Sequence, residues 1–189
     1  MLRTKIITAA LVSVCVLGTV GTVALGRAVQ SEIIYRDAHG SVVITAPQGW
    51  AFDHDNRGDQ DMRAVLYPAG TTPAKAPSVI YVKTVSKEGR PTLGSLIAGD
   101  VERRSALPPG LKVVSGHPLP TARDSEAQVK HFSGANEFES VAYLETSAVY
   151  VVIILSSKTE VAQKEAQLAF ADLVKSYHLS TVIGGVVKR

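Results

Sequence analysis

Cysteine is almost absent from this 189-residue chain. The single one, Cys15, lies in an apolar N-terminal stretch. Beyond that stretch there is no disulfide, no thiol nucleophile and no thiolate metal site. Tryptophan occurs once, at Trp50. The signatures of common chemistries are missing as well: no G-x-S-x-G, no H-E-x-x-H, no G-x-G-x-x-G and no phosphate-cradling P-loop. The five histidines are His39, His54, His117, His131 and His178, and none stands three or four residues from another. Ser156 and Ser157 occupy the place of a nucleophile elbow, but Lys158-Thr159 follows where a glycine is needed, and capping of the next helix suits these hydroxyls better. These absences predict a protein that is not an enzyme, with no catalytic, metal-binding or cofactor-binding residues.

A strongly basic patch is also missing. The sequence pI of about 9.0 is partly a property of the N-terminus. Of the 20 basic residues, Arg3, Lys5 and Arg27 fall within residues 1–28, leaving 17 against 17 acidic ones. No Lys/Arg cluster remains, which excludes a phosphate-binding stripe and predicts no nucleic-acid partner.

Residues 1–28 are what is present in place of those features. Arg3 and Lys5 precede an uncharged run from Ile6 to Gly26. Small residues at Ala24 and Gly26 fit a signal-peptidase site with Gly26 or Ala28 as the last residue removed. The same run is long enough to span a bilayer, which needs about 20 apolar residues. Signal peptide and uncleaved anchor are therefore both open, and each exports the remainder to a periplasmic or secreted location. Contact with a membrane is expected only through residues 6–26, if they are retained. Lipidation at Cys15 is disfavoured, because Val14 precedes it where a small residue is required.

The rest, residues 29–180, reads as one domain, with residues 181–189 as a tail. Its centre is residues 141–157, VAYLETSAVYVVIILSS. Val149 to Leu155 is a continuous apolar run, the pattern of a strand buried on both faces, and residues 141–145 fold back on it through Thr146-Ser147-Ala148. Ile33 to Ile44, with Asp37-Ala38-His39-Gly40 as the turn, predicts a first hairpin ended by Pro47-Gln48-Gly49. Trp50 is expected at the core or rim. Residues 62–67 and 79–85 form two further strands around PAGTTPAKAP (68–77), a loop expected to be exposed and mobile with little to bury. Thr92 caps a helix to about Leu107, with Leu93, Leu96, Ile97 and Val101 on one face. Strands follow near 111–114 and 127–132, and His131 shares a face with Ala127 and Val129. Thr159 caps the last helix, whose stripe is Ala162, Ala166, Ala169, Phe170, Leu173, Val174 and Tyr177. Lys164, Gln167 and Lys175 fall on its wet side. Short turns between consecutive strands give an α+β fold, an antiparallel sheet packed by two main helices.

Three stretches carry a family resemblance: ITAPQGWAFD (44–53), the central hairpin, and EAQLAFADLVKSYHL (165–179). With the element order, they make the chain resemble the PsbP-like superfamily. That superfamily takes in an extrinsic photosystem subunit, a Ran-binding nuclear transport factor and DcrB-type bacterial envelope proteins. The resemblance implies a sheet sandwiched by helices and an adaptor, assembly or binding role. It carries over no catalytic residue.

The polar loop DHDNRGDQD (53–61) partly matches a calcium loop. Asp53, Asp55, Gly58, Asp59 and Asp61 fit, but Arg57 replaces one ligand and Ala64 stands where the bidentate Glu belongs. A solvated turn is the better reading. As an exposed loop it supplies the partner-binding candidates Asp55, Asp59 and Asp61. The expected function is a non-catalytic envelope module that binds a protein partner. The alternatives are a carrier of a small ligand or metal ion in a groove between sheet and helix, and a hydrolase with an unrecognised site.

Overall fold

The computed structural model describes residues 30–37, 40–53, 62–89, 92–106, 111–122, 125–134 and 138–180. The leader, the tail and the candidates Asp55, Asp59 and Asp61 lie outside the described residues.

The central hairpin is the middle of the fold, as its composition requires. β9 (Phe138–Glu145) and β10 (Val149–Ser157) pair antiparallel, with Ile153 opposite Ala142. Thr146 closes the turn by accepting the N–H groups of Ala148 and Val149 and donating to the Val149 carbonyl. On its other side β10 pairs with β5 (Ser78–Ser86). The sheet continues through β4 (Met62–Pro68) to β3 (Trp50–Phe52) at one edge. In the other direction it runs through β8 (Glu126–Ser133) to β6 (Lys112–Ser115), and the two-residue β7 (Leu119–Pro120) also pairs with β8. Every pairing is antiparallel.

A second, three-stranded sheet was not apparent in the sequence. β1 (Ser31–Asp37) and β2 (Gly40–Thr45) form the expected hairpin, and β11 (His178–Ser180) adds to β2. The chain passes from β2 to β3 through a turn at Gly49, whose φ of 80° favours glycine.

The two faces of the large sheet bury different sets of side chains because successive strand residues point in opposite directions. On one face Val151, Ile153, Leu155, Ile80, Val82, Ala142 and Leu144 meet α2 (Glu160–Ser176) and the small sheet. Ala162, Ala166, Phe170, Leu173, Val174 and Tyr177 are buried there, so the stripe packs as expected. On the other face Tyr143, Tyr150, Val152 and Ile154 meet Leu96 and Ile97 of α1 (Leu93–Ser105). The result is the sheet sandwiched by helices that the sequence implies.

Three local expectations are corrected. Residues 68–77 are mostly exposed but do have something to bury. Ala76 packs with Val65 and Val79, Lys75 and Ala76 donate to the Thr72 carbonyl, and Lys158 Nζ donates to the Ala74 carbonyl. Capping of α2 comes from Thr159, which accepts the Ala162 N–H, and not from the preceding serines. Ser157 bonds to Ser78 at 2.8 Å in the interior, and Ser78 also donates to the Ala162 carbonyl. Gln167 is half-buried and bonded to β9, not on the wet side.

Candidate functional site

α2 packs across β10 and β9, and its later turns also cover the start of β8, where Ala127 and Val129 are buried with Phe170 and Leu173. A groove of about 720 Å³ lies between α2 and the β6–β8–β9 end of the sheet. Antiparallel register builds its floor in two rows. Phe138, Ser133 and Lys112 form one row, and Ser140, His131 and Val114 the next. Glu160, Gln163, Lys164 and Gln167 of α2 form the wall. The volume is within the roughly 300–1,000 Å³ typical of small-ligand sites.

The back of the groove is a closed hydrogen-bond cluster. Ser140 is fully buried and its Oγ has three partners. Gln163 Nε2 donates to it at 2.7 Å, it donates to Gln167 Oε1 at 3.1 Å, and His131 Nδ1 lies 2.8 Å away. The hydroxyl proton is spent on Gln167, so His131 Nδ1–H must be the donor in the last bond. Burial lowers the His131 pKa, which keeps the ring neutral and leaves Nε2 as an acceptor. Nε2 faces Gly116. A serine beside a histidine suggests a nucleophile and its base, but here the serine is inaccessible and gives its proton elsewhere. The position of His131 on a half-buried strand face is the one expected from its sequence.

Charges along the groove are mostly paired. Glu160 and Lys164 join at 2.7 Å one helical turn apart, which lowers the Glu160 pKa. Glu139 pairs with Arg104. The Lys112 side chain has no hydrogen bond or ion pair among the described residues. The elements that form the groove also carry large exposed apolar side chains: Val114 on β6, and Val161 and Leu168 on the solvent side of α2, exposed by 60%, 66% and 72%.

A polar cluster under α1 was not legible in the sequence. Asp100 is buried on the apolar face of α1, where it accepts the Tyr143 hydroxyl at 2.6 Å and pairs with Arg103 and Arg104. Burial pushes the Asp100 carboxyl up, but the Tyr143 hydrogen bond, Arg104 and Arg103 together outweigh it and hold it below its ordinary value. Burial and the same bond raise the Tyr143 phenol. Arg104 also stacks over the Phe132 ring, 4.8 Å from its centre. These contacts tie α1 to β8 and β9. A smaller cavity of about 190 Å³ opens beside the cluster. The i, i+3, i+4 spacing of Asp100, Arg103 and Arg104 was the available signal.

The acidic loop joins β3 to β4, at the opposite edge of the sheet from the groove. Five strand spacings from β4 to β6 amount to about 24 Å. Asp53 is buried, with its N–H on the Val65 carbonyl, and is not an open loop ligand. β4 holds the acidic loop and residues 69–77 at its opposite ends. Among the described residues, no group of three or more His, Cys, Asp or Glu side chains is placed to hold a metal. Among those residues, no helix is long and apolar enough to cross a membrane.

No protein-family model matches the sequence, and no curated protein matches it significantly. Solved structures do match the fold. The solution structure of cyanobacterial PsbP (CyanoP) from Synechocystis sp. PCC 6803 is 15% identical, with a TM-score of 0.50 over 86% of this chain and 98% of that one. LpqN of Mycobacterium tuberculosis, described as involved in cell envelope biogenesis, is 10% identical, with a TM-score of 0.49 over 82% and 93%. The architecture of this chain is PsbP-like.

Proposed function

We propose that this chain is an exported, non-catalytic binding module of the bacterial envelope, which holds a segment of a protein partner in the groove between α2 and β6–β8–β9. The observation that carries the reading is the groove itself, together with the exposed apolar side chains of the elements that form it, Val114 on β6 and Val161 and Leu168 on α2. Val161 and Leu168 lie together on the solvent side of α2, beyond Lys164 of the groove wall. Such a patch beside a concave site is characteristic of an interaction surface. The polar groups at the back of the groove are committed to one another, which suits binding better than chemistry. Asp55, Asp59 and Asp61 keep a place in the proposal as a separate contact that steers a basic partner.

A photo-crosslinker placed at position 168 in the native host tests this reading. An envelope protein should be trapped, and Val161→Asp with Leu168→Asp should abolish trapping while the melting temperature holds. Unchanged trapping in that folded double variant would place the interface elsewhere. Replacing Asp55, Asp59 and Asp61 by Asn should slow capture and weaken its salt dependence. A triple variant that captures at the same rate removes the loop from the proposal.

A second reading, a carrier of a small ligand, is favoured by the groove's volume and by its position between sheet and helix.

A further inference from the structure

We propose that the groove binds a free single-chain amphiphile with a carboxylate at one end, the carboxylate meeting Lys112 and the apolar chain lying along Phe138 and the α2 wall. The inference rests on the second reading above and names its ligand class.

The charge balance of the groove comes first. Among the described residues, four ionisable side chains other than His131 line it: Lys112, Glu139, Glu160 and Lys164. Glu139 is taken by Arg104, and Glu160 and Lys164 take each other. His131 is held neutral by burial, with Nδ1 on Ser140. Among the described residues one uncompensated charge is left, the Lys112 ammonium, at the open β6 end. A single positive charge matches a carboxylate better than a phosphate monoester, which carries about −1.5 to −2 at neutral pH.

The rest of the lining offers few polar groups to a ligand. Gln163, Gln167 and Ser140 are bonded to one another, so the wall presents mainly the side-chain methylenes of α2. Phe138 is half-buried in the floor and leaves ring surface uncovered. Val114, on the Lys112 face of β6, extends the apolar floor past the charge. A groove of about 720 Å³ between α2 and the sheet has room for one such chain entering from solvent.

Titration calorimetry on the purified protein, with decanoate and with decanol below their aggregation limits, tests the assignment. Decanoate should bind roughly five- to tenfold tighter than decanol, as expected for a partly exposed ion pair with a charge-assisted hydrogen bond. Lys112→Met should erase that difference, and Ser133→Trp, which fills the groove from an exposed floor position, should abolish both bindings. Affinity should fall about fourfold for each methylene removed from the chain. Equal binding of decanoate and decanol, both blocked by Ser133→Trp, would overturn the carboxylate assignment and leave the groove as a ligand site. Binding of neither, or binding indifferent to Ser133→Trp, would overturn the carrier reading itself. Binding only to phosphatidylglycerol vesicles would overturn the free-ligand claim. If neither amphiphile binds and Ser133→Trp instead abolishes the crosslink from position 168, the occupant is a protein segment.

Discussion

His131 packs against the α-carbon of Gly116 so closely that a methyl group there would lie 2.6 Å from Nε2 and 2.9 Å from Val129 Cγ1. The imidazole is pinned from behind by Ser140, itself fixed by Gln163 and Gln167 on α2. Gly116 is thus the outer layer of a stack that runs from the end of β6 through β8 and β9 to the last helix.

Gly116→Ala should therefore be costly although the position is near an edge strand. We expect a loss of about 1–3 kcal/mol, the usual range for forcing extra volume into a packed site, together with a displaced His131 ring. Denaturant unfolding and the imidazole NMR shifts check both. An unchanged ring signal would show that Gly116 can move away without disturbing the stack.

His131 should also give stability a dependence on pH. Its folded pKa lies below the usual 6.5 because burial disfavours the charged ring. Between the unfolded value and the lower folded value, the unfolded chain takes up a proton that the folded chain does not. Stability therefore falls as pH drops below about 6.5. In His131→Asn the side-chain amide keeps a donor toward Ser140 and removes the titration. Its melting temperature should slope less between pH 7 and 5. Identical slopes would assign the effect to other groups.

Two neighbours on the α2 stripe should respond in opposite directions. Phe170 is fully buried in the main core, and Phe170→Ala should cost about 3–5 kcal/mol. The Tyr177 hydroxyl is buried with no hydrogen-bond partner among the described residues, and burial pushes its pKa up to about 12. Removing an unsatisfied hydroxyl relieves its desolvation cost, so Tyr177→Phe should be neutral or stabilise by about 1 kcal/mol. A clear loss of stability in Tyr177→Phe would reveal a partner for the hydroxyl, such as a buried water.

The Asp100 cluster should hold α1 on the sheet. Asp100→Ala leaves Arg104 with one acidic partner fewer and strands the Tyr143 hydroxyl. A loss of about 3–5 kcal/mol follows for breaking a buried pair, while Tyr143→Phe should cost about 1–3 kcal/mol. Because the folded carboxyl lies below its ordinary 3.8, this stabilisation is complete above that value and is lost as pH falls through the folded pKa. The wild-type advantage over Asp100→Ala should therefore shrink in acid. A constant difference from pH 7 to pH 2 would mean that the carboxylate charge contributes little.

The sequence alone determined the features that depend on local pattern. Val149 to Leu155 had no polar face to offer water, so it had to be a central strand, and β10 is the middle strand of the large sheet. The stripe through Ala162, Phe170 and Leu173 and the caps Thr92 and Thr159 follow from helical periodicity and hydroxyl chemistry. His131 could be placed on its strand face for the same reason. Tertiary structure decided what depends on partners remote in the chain. Residues 178–180 carry too little pattern to announce a strand, and they become β11 because β2 is 135 residues away in sequence but adjacent in space. Asp100 is buried under α1 because Tyr143 and two arginines, Arg103 and Arg104, make its burial tolerable. The groove could not be read from sequence, since it exists only because the first two turns of α2 stand off from the Lys112, Ser133 and Phe138 end of β6, β8 and β9. Lys112, the one uncompensated charge in it among the described residues, is placed there by the register of β6 against β8.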